Sequence, residues 1–194
     1  MSDLNASYWS KRWAEGQTGW DAGEITPPIK AYADGLNDKS IRILIPGCGS
    51  GYEGAYLWKN GFQHLYLSDI SELPLKKFAN SHPGFPEQNL LHGNFFDLQG
   101  KFDLVLEQTF FCALHPTLRP AYVKKMKDLL SPTGKLAGLF FDVEFENPGP
   151  PFGGSQPEYR KLFSNDFEIL RMSKCTNSIA PRLGSEVFFE MIRK

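Results

Sequence analysis

The sequence predicts an α/β fold with a parallel sheet, and three observations support this prediction. Residues 41–45 are apolar except for Arg42 and rich in β-branched side chains, which is typical of a buried parallel strand. A glycine-rich turn at 47–51 and a helix-forming segment from Tyr52 follow it directly, as at the entry of a nucleotide-binding α/β domain. Further predicted strands and helices alternate along the rest of the chain.

Length and composition indicate one soluble domain and exclude some classes of partner. The chain has 194 residues, of which 41% are hydrophobic and 22% are charged. Its 21 basic and 22 acidic residues give a net charge of −1, so no general attraction to nucleic acid or to a membrane surface is expected. The expected partner is a small molecule, and we expect a monomer.

The cysteines indicate a reducing compartment. Cys48, Cys112 and Cys175 are widely spaced and odd in number, which does not suit a disulfide framework. No CxxC pair suggests zinc, and no metal site is expected. Residues 1–5 show no basic-then-apolar signal pattern and no apolar run is long enough to span a membrane, so we expect a cytoplasmic protein.

The N-terminal segment carries three of the four tryptophans. Residues 5–16 predict a short helix capped by Asn5 or Ser7, on which Trp9 and Trp13 share a face. Trp20 follows in a turn, and a second helix is expected at 27–36. These rings either plug an edge of the core or belong to a helical lid, residues 5–37, that closes over a ligand.

The glycine turn is the first candidate binding element. Gly47 and Gly49 allow a tight turn and a close approach of the backbone to a ligand. Residues 47–51 form GxGxG, whereas residues 49–54 satisfy the dinucleotide pattern GxGxxG; Gly47 leaves the strand directly, which favours the first frame. The plain alternative is a strand-to-helix turn without a ligand.

Asp69 is the second candidate. It ends a predicted strand at 64–68 and lies 22 residues after Gly47, where a carboxylate can accept hydrogen bonds from ribose hydroxyls. The alternative is a helix N-cap, but Ser71 can cap the following helix itself, so the ligand role is favoured.

The remaining elements extend the α/β pattern. Helices are expected at 73–80, 117–130 and 157–163, and strands at 88–92, 102–106 and 135–141, with a turn at 131–134. Segments 167–172 and 186–191 predict a closing, hairpin-like strand pair. After the third strand, Asn94 followed by Phe95 suits the edge and the face of an adenine.

Four residues are candidates for the substrate side. Phe110 and Phe111 follow the fourth strand at the carboxyl end of the sheet, where ligands bind in open α/β sheets. Arg119 lies in the first turn of a helix, where a cation is unfavourable, so an anionic substrate, a carboxylate partner or a surface salt bridge would explain it. Phe152, in the Pro-Gly-rich loop at 147–154, is interpreted as a wall on the substrate side.

Taken together, these segments resemble the thiopurine S-methyltransferase superfamily of class I S-adenosylmethionine-dependent methyltransferases, especially its thiol, halide and thiocyanate branch. The resemblance runs from about Tyr8 to Phe163 and is most specific in the paired tryptophans, in residues 110–114 and in residues 149–152. It implies a Rossmann-like sheet of seven strands, mostly parallel and flanked by helices, with the last strand antiparallel. By position, it implies cofactor contacts from Trp9, Trp13, Trp20, Gly47, Asp69, Asn94, Phe95 and Gln108.

The resemblance implies methyl transfer from S-adenosylmethionine to a small soft nucleophile, leaving S-adenosylhomocysteine. Thiolates, bisulfide, thiocyanate, halides and heteroaromatic thiols need no general base, and no nucleophile–base or metal constellation is visible in the sequence. Glu53 and the pair Glu107-Gln108 depart from the family pattern, which leaves the acceptor open. The alternatives are an NAD-dependent oxidoreductase, from the shifted GxGxxG, and a non-catalytic cofactor-binding protein.

Overall fold

A computed structural model describes residues 4–194, so residues 1–3 of the stretch searched for a signal pattern lie outside the described residues. The strands are β1 (Ile43–Pro46), β2 (Leu65–Asp69), β3 (Leu90–His92), β4 (Phe102–Gln108), β5 (Leu130–Phe141), β6 (Phe167–Lys174) and β7 (Glu186–Arg193). The helices are α1 (Ala6–Ala14), α2 (Pro27–Asp34), α3 (Tyr52–Lys59), α4 (Glu72–Ser81), α5 (Arg119–Leu129) and α6 (Gln156–Phe163).

The seven strands form one sheet in the order β3-β2-β1-β4-β5-β7-β6. Pairs from β3 to β5 are parallel, and β7 runs antiparallel to both β5 and β6. The predicted fold class is therefore confirmed, including the reversed last strand and the pairing of the two closing segments. The reversed strand β7 lies inside the sheet, while β6 forms its edge.

Alternating strand residues divide the core into two layers, one on each face of the sheet. Leu44 and Val105 belong to a cluster with buried side chains of α5 and α6. Their strand neighbours Ile43, Leu104 and Leu106 belong to a second cluster with side chains of α2, α3 and α4. Helices on both faces explain why the central strand β1 is apolar throughout.

The prediction of a turn at 131–134 is wrong, because β5 begins at Leu130 and runs through these residues. Leu130 pairs with Phe102 and Lys135 pairs with Leu104, so residues 131–134 bulge out between two paired positions. A bulge accommodates proline and glycine within a strand, which the local sequence pattern cannot distinguish from a turn.

The described N-terminus follows the predicted pattern. Asn5 caps α1, and its side-chain oxygen accepts a hydrogen bond from the Tyr8 N–H at 3.0 Å. α2 begins at Pro27, a position where the missing N–H of proline costs nothing. In residues 4–194, no helix is both long and apolar enough to cross a membrane.

Candidate active site

A cavity of about 370 Å³ opens at the carboxyl ends of the parallel strands. Its walls come from the N-terminal segment, from the ends of β2 and β5, and from the segments that follow β1, β3 and β4. A second cavity of about 50 Å³ lies on the other side of the glycine loop. Trp20, Gly47, Gly49, Thr109 and Arg182 line both cavities, so the two spaces meet at the glycine loop.

The glycine loop is shaped by its closeness to the cavity walls. Gly47 and Gly49 have φ of 57° and 51°, in the region that favours glycine. A Cβ on Gly47 would collide with the ring of Phe110, and one on Gly49 would lie 3.3 Å from Cζ2 of Trp13. Both positions therefore favour glycine for the backbone angle, and Gly47 also favours it for lack of space.

Asp69 ends β2 in the wall of the large cavity and is only 8% exposed. Its Oδ2 accepts a hydrogen bond from Gly49 N–H at 3.1 Å, and its Oδ1 accepts one from Ser71 N–H at 2.9 Å. Burial raises the pKa of Asp69, whereas these two N–H groups lower it. Each oxygen accepts one backbone hydrogen bond, which leaves acceptor capacity on both for a ligand's hydroxyls.

Ser71 is the N-cap of α4, but its side chain makes no capping hydrogen bond. Its hydroxyl instead accepts from that of Ser10 in α1 at 3.0 Å. Asp69, within the strand, is not the cap, so the capping explanation considered for it does not apply.

The segment after β3 supplies the polar and aromatic pair expected for adenine. Asn94 and Phe95 both line the large cavity. The Asn94 side-chain oxygen accepts from Phe96 N–H at 3.0 Å and so fixes the following turn. The Phe95 ring lies edge-on to that of Phe110, with centroids 5.0 Å apart, so the two rings form one continuous apolar wall.

The three N-terminal tryptophans form a cluster over the large cavity. The Trp20 ring lies edge-on to Trp9 at 5.4 Å and to Trp13 at 5.9 Å between centroids. The segment is fastened to the glycine loop, because the Ser50 hydroxyl donates to Asp21 Oδ2 at 2.5 Å. The three rings therefore form part of the wall of the large cavity, and Trp13 is also buried.

The turn after β4 is held by a buried carboxylate. Glu107 Oε1 accepts from the N–H groups of Phe110 and Phe111 at 2.8 and 2.9 Å, and its Oε2 accepts from the Tyr122 hydroxyl at 2.7 Å. Within residues 4–194, Thr109 is the non-glycine residue with a positive φ, 59°. The carboxylate thus stabilises a strained turn at the cavity wall, as occurs at binding sites.

A model of the thiopurine S-methyltransferase family matches residues 4–190. The chain belongs to the thiopurine S-methyltransferase family. This membership confirms the resemblance found in the sequence, and with it the predictions of a methyltransferase and of S-adenosylmethionine as its cofactor.

Proteins with similar sequences are also named as methyltransferases. A probable thiol methyltransferase 2 from Arabidopsis thaliana is 33% identical over 192 residues, covering 96% of this chain and 84% of that protein. Thiocyanate methyltransferase 1 from Brassica oleracea is 32% identical, and the match covers 92% of this chain and 81% of that protein. Thiopurine S-methyltransferase from Vibrio vulnificus is 26% identical, covering 82% of each chain.

Solved structures support the fold alone. The 1,6-didemethyltoxoflavin-N1-methyltransferase of Burkholderia thailandensis, crystallised with S-adenosylhomocysteine, superposes with a TM-score of 0.76 at 20% identity, covering 97% of this chain and 86% of that one. Magnesium protoporphyrin IX methyltransferase from Synechocystis superposes with a TM-score of 0.73 at 17% identity, covering 100% of this chain and 99% of that one.

Most of the residues expected at the site line a cavity in this family member. The large cavity brings together Trp9, Trp13, Trp20, Gly47, Gly49, Asp69, Asn94, Phe95 and Phe110. Gln108 lines the small cavity instead, where its Oε1 accepts from the Thr26 hydroxyl at 3.0 Å.

Three substrate-side candidates lie outside both cavities. Phe111 is buried in the core between sheet and helices. Phe152 packs on His115, while the preceding Pro150 and Pro151 line the large cavity. The Arg119 guanidinium is buried and donates to Glu158 Oε1 and to the Gly153 carbonyl, each at 2.6 Å, so the structure provides the carboxylate partner.

Most of the side chains that line the large cavity are apolar. The described residues that line this cavity include no histidine, and Asp69 is their one carboxylate. Cys112 also lines it, but its thiol donates to the Thr109 carbonyl at 3.2 Å, and burial raises its pKa. A thiol of this kind is a small buried apolar group and not a nucleophile.

Sequence reasoning missed Arg182, Thr109 and the anchoring role of Glu107. Arg182 lies in the 3₁₀ turn Ala180–Arg182 between β6 and β7, far along the chain from every motif. A single arginine in a loop has no periodicity or motif spacing, so no sequence pattern predicted a place for it in the site.

Proposed function

We propose that this chain transfers the methyl group of S-adenosylmethionine to a small soft anion, such as a thiolate, bisulfide, thiocyanate, a halide or a heteroaromatic thiolate. The observation that carries the choice of acceptor is that the described residues lining the large cavity include no histidine and, apart from Asp69, which is assigned to the ribose, no carboxylate. An amine or an alcohol would need a proton removed during attack, whereas a soft anion arrives ready to react.

The described residues fit this cofactor. Gly47 and Gly49 line the large cavity, and Asp69 retains acceptor capacity for ribose hydroxyls. Asn94 and Phe95 are proposed to hold the adenine, and the three tryptophans to cover the bound molecule. When bound, S-adenosylmethionine supplies a methyl group that its sulfonium already activates.

The chain's contribution is then placement and exclusion of water. Phe110, Leu114, Phe141 and the proline pair at 150–151 line the large cavity and offer an anion no competing hydrogen bonds. Loss of hydration makes a soft anion more reactive, and alignment with the methyl group removes much of the entropic barrier. Segment 5–37 is proposed to act as the lid that keeps this space dry.

Two finer assignments accompany the proposal. We propose that the enzyme is cytoplasmic, which the three buried free cysteines support. We also propose that it acts as a monomer. Its substrate is proposed to be a small molecule, since the near-neutral charge provides no electrostatic basis for binding nucleic acid.

The proposal is tested with matched acceptors that differ only in the attacking atom. Thiophenol, phenol and aniline are each incubated with the enzyme and labelled S-adenosylmethionine, alongside iodide and thiocyanate. The proposal expects methylation of thiophenol or of an inorganic anion, and none of phenol or aniline. Efficient methylation of phenol or aniline would contradict the absence of a general base at the site.

A further inference from the structure

Arg12 lies in α1 and lines the large cavity. Its guanidinium carbon lies 5.5 Å from the centre of the Trp20 ring and 5.9 Å from that of the Tyr8 ring, and both of these residues line the same cavity. Its Nε donates to the Gln17 carbonyl at 3.1 Å. Cation–π contacts and a hydrogen bond therefore hold this positive charge at the cavity wall.

The Arg12 charge has no carboxylate partner among residues 4–194, where no acidic oxygen lies within 4.0 Å of its guanidinium. The neighbouring Lys11 differs, because it is exposed and its Nζ lies 3.9 Å from Oε1 of Glu15. A guanidinium is weakly hydrated and stacks on aromatic rings, and at the wall of a mainly apolar cavity its field is focused into that cavity. Such a charge is suited to attract an anion.

The other charged residues that line the large cavity already have an assigned counterpart. Arg182 Nη1 lies 3.7 Å from the carboxylate of Glu186, which offsets much of its charge. Asp69 is proposed to bind the ribose of the cofactor. Lys77 does not line the cavity, but its Nζ lies 5.8 Å from the centre of the Trp13 ring and adds to the positive potential there.

The small cavity carries the opposite charge. The described residues that line it include the carboxylates of Asp21, Glu24 and Glu53, together with Arg182. Burial raises the pKa of Glu53 to about 7, so this group is partly neutral near that pH. Three acidic residues beside one arginine still disfavour an anion, which leaves the large cavity as the place where an anion is attracted.

We propose that Arg12 selects the charge of the methyl acceptor, because it attracts a soft anion into the large cavity in preference to a neutral molecule. The inference rests on the proposed function and names the residue that recognises the negative charge. Methylation removes this charge, since a lone pair of the acceptor forms the new bond and the electron pair of the broken carbon–sulfur bond stays on the cofactor's sulfur. Arg12 therefore attracts the substrate and not the methylated product.

Three variants separate the charge of Arg12 from its place in the structure. Arg12→Gln removes the charge, Arg12→Lys keeps it, and Lys11→Gln removes an equal charge from the adjacent, exposed position outside both cavities. The KM and kcat are measured with the anion, among bisulfide, iodide and thiocyanate, that the wild type methylates. Calorimetry measures the affinity of each variant for S-adenosylhomocysteine.

A second measurement reports the local charge without turnover. Iodide quenches tryptophan fluorescence by collision, and Trp9, Trp13 and Trp20 line the large cavity. Neutral acrylamide quenches the same rings, so the ratio of the two quenching constants isolates the effect of charge from that of exposure. This ratio is measured for the wild type and for each variant.

The proposal expects Arg12→Gln to raise the KM for the anion about 3–10-fold at unchanged kcat, between the loss of an exposed ion pair and that of a buried charged hydrogen bond. The ratio of iodide to acrylamide quenching should fall in the same variant. The affinity for S-adenosylhomocysteine should change less than about twofold. Arg12→Lys should keep the KM within about twofold of the wild type, and Lys11→Gln should behave as the wild type. Where the glutamine variant does not fold, Arg12→Met takes its place, because it keeps an unbranched stem against the rings.

Two results would overturn the inference. The first is an Arg12→Gln enzyme with the same KM and the same quenching ratio as Lys11→Gln. The second is a loss of S-adenosylhomocysteine affinity of about tenfold or more in Arg12→Gln, which would assign this residue to the cofactor. A wild type that methylates none of the three anions would instead contradict the proposed function, and the quenching ratio would still decide whether Arg12 attracts an anion.

Discussion

Replacing Asp69 by asparagine removes one negative charge from the cavity wall with little change in side-chain shape. In the wild type, each carboxylate oxygen accepts one backbone N–H, and the remaining acceptor capacity faces the cavity. Asparagine keeps one oxygen and turns an NH₂ group towards the N–H of Gly49 or Ser71. We therefore expect a loss of cofactor affinity and a separate, smaller loss of stability.

The magnitude follows from the charge of the acceptor. Hydrogen bonds to an ionised group contribute about 1.5–3 kcal/mol, so S-adenosylhomocysteine should bind about 10–150-fold more weakly to Asp69→Asn. The assay is calorimetric titration of the folded variant, with the free energy of unfolding measured by urea denaturation.

Asp103→Asn is the matched control. Asp103 also accepts a backbone N–H, from Arg42 at 2.9 Å, together with the Ser131 hydroxyl at 3.0 Å, and it lies outside both cavities. We expect it to lose stability and to keep its cofactor affinity. If Asp69→Asn bound S-adenosylhomocysteine as tightly as Asp103→Asn does, the assignment of Asp69 to the ribose would be refuted.

Two further substitutions test the supporting structure. Burial raises the pKa of Glu107 to about 7, so its protonated form stabilises the fold at low pH and this stabilisation is lost as pH rises through about 7. Glu107→Gln should therefore reduce the fall in unfolding free energy between pH 5 and pH 8 by about 2–3 kcal/mol relative to wild type, measured by urea denaturation; identical pH profiles would contradict the burial argument. Arg119→Gln should lose about 2 kcal/mol of stability with its bonds to Glu158 and Gly153, while the KM for thiocyanate stays within about twofold. A KM raised tenfold or more would return Arg119 to the substrate side.

The centre of the fold could be predicted because each local signal has one structural meaning. A β-branched run followed by glycines at 47, 49 and 51 predicts a strand, a turn and then a helix. The structure has β1 and α3 on either side of this glycine turn. Asp69 was found by the same logic, since the end of a neighbouring parallel strand lies at the same edge of the sheet.

The face that a side chain takes after a strand ends could not be predicted. Phe110 and Phe111 are adjacent and chemically identical, yet Phe110 lines the cavity and Phe111 lies in the core. The hydrogen bonds of Glu107 to both N–H groups set this turn, and they depend on a side chain folding back onto the backbone. Periodicity arguments do not reach such irregular segments.

Arg182 shows a different limit. It lines both cavities, and it donates a hydrogen bond to the Trp20 carbonyl, 162 residues away in the chain. Neither property leaves a trace in the local sequence, and both become visible only when the tertiary structure brings the two ends of the chain together.

The central claim is that this chain uses S-adenosylmethionine to methylate a soft anion. Its most direct test is to titrate the purified protein with S-adenosylhomocysteine and with NAD in a calorimeter. Methyl transfer to bisulfide, iodide, thiocyanate and an aromatic thiol is then measured on the same sample. The account predicts binding of S-adenosylhomocysteine, no binding of NAD, and transfer to at least one of the four acceptors. Binding of NAD without S-adenosylhomocysteine, or cofactor binding with no transfer to any of them, would contradict it.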